Sequence, residues 1–280
     1  MRLRGVKRSS NVSDRRRRRS AGGTAGLGGI GLIAVLLIGA FLGVDVTPLL
    51  QDDQVSQSPS ETRDLSQEEV AAGDFAARVL TTTEVVWGEI FPAQLGAAYR
   101  PPELILFSGA TQSGCGGASA STGPFYCPAD RRAYLDTAFF ATLSRELGAR
   151  GDFAAAYVIA HEVAHHVQNE MGILPQVMEL RARSSPTQSN QLSVRTELMA
   201  DCLSGIWAAG VEDLLEPGDI EEAVNAARRI GDDYLAQRAG RAANPHTFTH
   251  GTSEQRARWF ARGFQQRQVA GCDTFSTDRL

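Results

Sequence analysis

Hydrophobic and polar positions change period along this chain, and the changes mark out its elements. From 67 to 90 apolar residues recur at helical spacing, Phe75, Val79, Val85 and Ile90 among them, and Pro92 closes the run. The stretch PPELILFSG at 101–109 is short, apolar and bounded by breakers, so it predicts a strand. PFYCP and RAYLD follow with turn signals between them and predict one or two more. Helical periodicity then returns over 136–147, 152–171, 192–209, 217–237 and 253–268. A small sheet followed by a run of helices is a mainly helical α+β arrangement. No internal repeat is present, so the folded unit is one domain, placed at 66–280.

A different pattern precedes this domain. No charged residue occurs between Arg19 and Asp45, and the most apolar part, 27–44, is about as long as the shortest helix that spans a bilayer at ~1.5 Å per residue. It predicts one transmembrane helix at 21–44. The polar Ser, Gln, Asp and Thr-rich stretch at 45–65 reads as a flexible linker. Residues 1–20 carry nine Lys or Arg against one Asp, a local +8, so the other 260 residues hold −12 of the net −4. Positive charge flanking a span keeps that end in the cytoplasm, which predicts a basic cytoplasmic segment at 1–20 and a single-pass cell-membrane protein with an extracytoplasmic domain. A cleaved signal peptide fits less well, because the apolar run is long and AFLGVD lacks a small-x-small cleavage site. The acidic remainder argues against nucleic acid as a partner.

The composition, 42% hydrophobic and 21% charged, is that of an ordinary folded protein. Its four cysteines fit an exported domain, where an even number suggests disulfides and three pairings are possible. Cys115 and Cys127 bracket a Gly and Ser-rich loop short enough to close locally, which would leave Cys202 with Cys272. No C-x-x-C pair exists to seed a zinc site from cysteine.

Three of the five histidines fall within AHEVAHHVQN at 160–169. His161 and His165 are four apart, so on a helix they differ by only about 40° and can converge on one ion. Glu162 lies about 100° round from His161, poorly placed as a ligand but able to lean over a water at the metal. This spacing suits zinc hydrolysis: neutral imidazoles hold Zn2+, the ion lowers the pKa of its water toward ~7, and the glutamate takes the proton. A third ligand is needed, and ELMAD at 197–201 offers two acids, again four apart. Glu197 is the candidate ligand, and Asp201 could accept a hydrogen bond from the far nitrogen of His161 or His165. An ordinary solvated face is the common fate of two such acids. The neighbours Leu198, Met199, Leu203, Ile206 and Trp207 predict a buried helix instead, where unpaired carboxylates are costly. His166, rotated some 140° from His161, should point away. Tyr157, one turn before His161, is either a further donor or a core tyrosine. Thr252 and Gln255 form a capping box for the last helix, which leaves His250 on a loop that could reach the cleft and donate to an oxyanion.

Taken together, H-E-x-x-H on one helix and E-x-x-x-D on the next resemble a gluzincin-type zinc endopeptidase. More narrowly, the chain resembles the bacterial neutral zinc metallopeptidase family of single-span membrane proteins. The resemblance is carried by CGGASASTGPFYCPAD at 115–130, GDFAAAYVIAHEVAHHVQ at 151–168, ELMADCLSGIWA at 197–208 and HGTSEQRARWF at 250–260. It implies a zincin-like fold, one zinc ion held by His161, His165 and Glu197, Glu162 as general base, and a peptide or protein substrate. A strand-like GPFYCP segment is where an extended peptide would be held, by main-chain hydrogen bonds at a sheet edge. Two other classes fit the same residues: a catalytically silent zinc-containing scaffold or receptor for cell-envelope proteins, and a zinc hydrolase acting on a non-peptide bond.

Overall fold

The computed structural model describes residues 1–17, 63–119 and 122–280. The expected span at 21–44 and all but the last three residues of the expected linker lie outside the described residues. Among the described residues no helix is long and apolar enough to cross a membrane.

The first helix, α1 (Gln67–Ile90), starts where a capping box ends the polar stretch: Ser66 Oγ accepts from the Glu69 N–H at 3.1 Å, and Glu69 accepts from the Ser66 N–H at 2.8 Å. Its Val79, Leu80, Val86 and Trp87 face the core. Pro92 does not stop the chain at once. The helix widens into a single π turn, Phe91–Leu95, that ends at Gly96 in the left-handed conformation.

The main sheet has the order β1 (Val12–Asp14), β2 (Glu103–Phe107), β6 (Arg132–Asp136) and β5 (Phe125–Cys127). β2 runs parallel to both neighbours, and β5 closes the far edge antiparallel to β6. The unbroken apolar run of β2 follows from burial on both faces. Leu104 and Leu106 enter the main core, whereas Ile105 and Phe107 pack with Tyr134, Cys127 and Phe125 on the other side. A hairpin of β3 (Ala110–Ser113) and β4 (Gly116–Ser119) follows β2, and the Cys115–Cys127 disulfide ties its turn to β5.

Behind the sheet lie α2 (Phe139–Arg145), the central α3 (Asp152–Glu170), α4 (Ile173–Ala182), α5 (Pro186–Gly210), α6 (Asp219–Arg229), α7 (Asp232–Arg238) and α8 (Ser253–Gln266). α3 is buried along most of its length and packs on α1, α5, α6, β5 and β6. The α4 turn is an addition to the expected helices, set off from α3 by Gly172 at φ 75°. The single helix expected at 217–237 is two. It breaks at Gly231, whose missing side chain leaves room for the Ser253 backbone and lets Asp232 turn toward the loop before α8.

Residues 1–17, expected to stand apart from a domain beginning at 66, are instead part of it. β1 is only three residues long and has no apolar period, so nothing in its pattern marks it; its pairing with β2 makes it a strand. Upstream, Ser9 N–H donates to Ala77 O at 3.1 Å, and Asn11 and Ser9 both donate to Glu84 Oε1. The Met1 ammonium is buried against Asp152, Glu216 and Asp219 at 2.8–3.3 Å. Arg16 is buried too, held by the Asp14 carboxylate in a space that a side chain at Gly73 would fill.

α5 and α8 approach most closely where glycines face backbone. A Cβ on Gly263 would overlap the Cys202 carbonyl, and one on Gly205 would overlap the Phe260 carbonyl. The Cys202–Cys272 disulfide fastens the same crossing. Gly263→Ala should therefore destabilise the protein by about 1–3 kcal/mol, the usual cost of overpacking, read as a lower urea midpoint with unchanged slope.

Candidate metal centre

Two helices build the centre. α3 carries His161 and His165 on one stripe, and α5 brings Glu197 against them. His161 Nε2 lies 3.0 Å from Glu197 Oε2, and His165 Nε2 lies 3.5 Å from Glu197 Oε1. Donor atoms of the three residues all fall within 4.8 Å of one another. Two imidazole nitrogens and a carboxylate oxygen, converging this closely in a partly buried cleft, fit a zinc ion with a coordination position to spare.

The orientation of each ring is fixed from behind. Gln168 Nε2 donates to Thr196 O at 2.7 Å, so its Oε1 faces His165 Nδ1 at 2.9 Å as an acceptor. His165 Nδ1 therefore carries the proton and Nε2 is left for the centre. His161 has its Nδ1 3.0 Å from Asp201 Oδ1, close but not aligned as a linear hydrogen bond. Asp201 thus backs His161, and Gln168 does the same work for His165.

Asp201 is fully buried, which makes its own partners decisive. Arg256 forks onto both of its oxygens at 2.9 and 3.0 Å, and the Tyr157 hydroxyl donates to Oδ1. Burial pushes the Asp201 carboxyl up, but Arg256 and His161 outweigh it and the net shift is downward. Arg256 is held well above its ordinary value by the same pairing, against its own desolvation. Tyr157 is committed to this cluster and buried, as a core tyrosine.

The groups at the centre itself diverge. Burial lowers the His161 pKa, yet Asp201 and Glu197 raise it to about 9. The Glu197 carboxyl, pushed up by burial, is drawn well below its ordinary value by His165 and His161. Glu162 moves the other way: burial raises it, and the two imidazoles only partly offset that. A glutamate raised in this way is a candidate proton acceptor.

His250 lies on the loop before α8, half exposed. Asp232 organises that loop. Its Oδ2 accepts the N–H groups of Thr249, His250 and Gly251 at 2.8, 2.7 and 3.0 Å, and its Oδ1 lies 3.1 Å from His250 Nδ1. Desolvation lowers the His250 pKa, but Asp232 and the Glu197 charge raise it on balance.

His166 turns away, as its angle on the helix requires. Its Nε2 donates to Arg100 O at 2.6 Å, so Nδ1 accepts from the Tyr126 hydroxyl at 3.0 Å. Burial lowers its pKa to about 4, which keeps the ring neutral. It fastens β5 and the segment before β2 to α3. Arg256, Asp232 and Gln168 belong to neither the H-E-x-x-H nor the E-x-x-x-D motif of the sequence. Gln168, three residues after His165, had a signal in helical spacing; Arg256 and Asp232 had none short of tertiary contact.

A family model described as "Putative neutral zinc metallopeptidase" matches residues 1–275. The uncharacterized protein YpfJ of Escherichia coli (strain K12) is 45% identical over 287 residues, covering 98% of this chain and 99% of that protein. The uncharacterized proteins Mb2605 of Mycobacterium bovis and Rv2575 of Mycobacterium tuberculosis are each 40% identical over 265 residues, 85% of both chains. No solved structure matches the chain.

Replacing Arg256 tests the cluster without touching a candidate ligand. Arg256→Gln leaves the Asp201 carboxylate buried without its cation and should cost about 3–5 kcal/mol in urea unfolding. An effect within 0.5 kcal/mol of zero, the range typical of surface changes, would mean the ion pair does not hold these helices.

Proposed function

The chain belongs to this zinc metallopeptidase family, and we propose that it is a membrane-attached zinc endopeptidase with one zinc ion held by His161, His165 and Glu197 and with Glu162 as general base. The observation that carries this reading is the convergence of the three donor side chains from two helices, each imidazole backed by its own acceptor. When bound, zinc supplies the Lewis acidity that brings a water's pKa toward ~7.

The remaining work falls to the chain's own groups. Glu162, raised by burial, takes the proton from the attacking water and delivers it to the leaving amine. His250 presents Nδ1–H to Asp232, so its Nε2 is a donor when the ring is protonated, a state that Asp232 and Glu197 favour. In that state it stabilises negative charge developing on the peptide carbonyl oxygen. β5 is an edge of the sheet that packs on α3, and an extended peptide added along it would be held by main-chain hydrogen bonds. Membrane attachment is assigned to 21–44, and the two disulfides suit a compartment outside the cytoplasm.

With full-length protein and an unstructured protein substrate, Glu162→Gln should keep one zinc per chain by elemental analysis and lose activity by about 10²–10⁴-fold. Cleavage by that variant at the wild-type rate would refute the mechanism. A wild type that is loaded with zinc and cleaves no peptide would favour the scaffold reading instead. Asp201→Asn should weaken zinc binding by about 10–100-fold in chelator competition, because His161 loses the carboxylate behind it.

A further inference from the structure

Residues 1–17 and 63–280 form one folded body, and the two ends of the chain between them meet. Arg63 N–H donates to Arg17 O at 3.1 Å, and Arg63 Nε donates to Arg16 O at 3.2 Å. β1 adds to the sheet in register, Val12 opposite Leu104 and Asp14 opposite Leu106. Leu104 N–H donates to Asn11 O at 2.8 Å, and Arg15 N–H donates to Leu106 O at 2.7 Å. These are buried positions of the central strand. The family match likewise extends back to residue 1.

From this geometry we infer that residues 1–17 lie in the same compartment as residues 63–280, so the N-terminal segment is not held across the membrane from the metal centre. The inference rests on the attachment through 21–44 proposed above. A bilayer's hydrocarbon core is about 30 Å thick, whereas the ends at Arg17 and Arg63 are in hydrogen-bond contact. One crossing would separate them and strip β1 from the sheet. Two crossings as helices would need about 40 apolar residues, and the uncharged run from Ser20 to Val44 has 25. Residues 1–17 and residues 63–280 therefore lie on one side of the bilayer.

The arginine run that suggests a cytoplasmic N-terminus has another use in the folded body. Arg16 is buried on Asp14, Arg17 pairs with Asp64 at 3.3 Å, and Arg15 reaches Gln112 O. These charges have local partners and do not require the cytoplasmic leaflet to account for them. Stripping β1 away would also leave Glu84 without its Ser9 and Asn11 donors and the Met1 ammonium out of its acidic site.

The test is labelling in spheroplasts with a membrane-impermeant maleimide, using full-length Ser10→Cys and Thr187→Cys, both exposed positions, with Arg4→Cys repeating the N-terminal measurement. The expected result is that all three behave alike, labelled together in intact spheroplasts or together only after lysis. Labelling of Thr187→Cys in intact spheroplasts, with Ser10→Cys and Arg4→Cys labelled only after lysis, would overturn the inference. Sedimentation with the membrane fraction reports the attachment separately. Since neither readout uses zinc or proteolysis, failure here is distinguishable from failure of the peptidase reading.

Discussion

The buried pair of Asp201 and Arg256 is the constraint around which the centre is arranged. A carboxylate at full burial is tolerable only with its charge matched and its lone pairs occupied. Arg256 from α8 supplies the charge, Tyr157 from α3 donates a further hydrogen bond, and His161 from α3 presents its ring nitrogen. One side chain of α5 is thereby tied to two other helices. The helix pair that must meet for His161, His165 and Glu197 to converge is the pair this cluster ties together. The close crossing of α5 and α8 at Gly205 and Gly263, with the Cys202–Cys272 bond beside it, brings Arg256 within reach of Asp201.

Three carboxylates near one another take different states because their surroundings differ. Asp201 faces a guanidinium and an imidazole, Glu197 faces two imidazoles, and for Glu162 burial outweighs the charge of those imidazoles. The first two are drawn below the ordinary carboxyl value and the third is pushed above it. Separation of this kind is what would let carboxylates serve different roles within one site. Around them, Asp232 fixes the His250 loop through three backbone N–H groups, and His166 fastens β5 to the far side of α3.

The N-terminal segment connects the two layers of the fold. It passes over α1 through Ser9 and Asn11, joins the sheet at β2, and places the Met1 ammonium against Asp152 at the start of α3. A segment whose sequence reads as basic and separate is thus in contact with the head of the helix that carries His161. The reason lies in main-chain pairing: an added strand needs backbone groups and a partner with a vacant edge, and requires no apolar period of its own.

By itself the sequence determined what depends on spacing within one element. His161 with His165, Glu197 with Asp201, the capping box at Thr252, and the apolar β2 are local periods and local chemistry, legible because each is set by one helix or one strand. The angle of His166 away from the ion was legible on the same ground. Tertiary structure decided what depends on elements meeting: that α3 and α5 converge, that Arg256 neutralises Asp201 from 55 residues away, that a helix breaks at Gly231 so Asp232 can hold His250, and that residues 1–17 complete the sheet. Those contacts join side chains and backbone far apart along the chain, and periodicity carries no information about which distant surface an element will face.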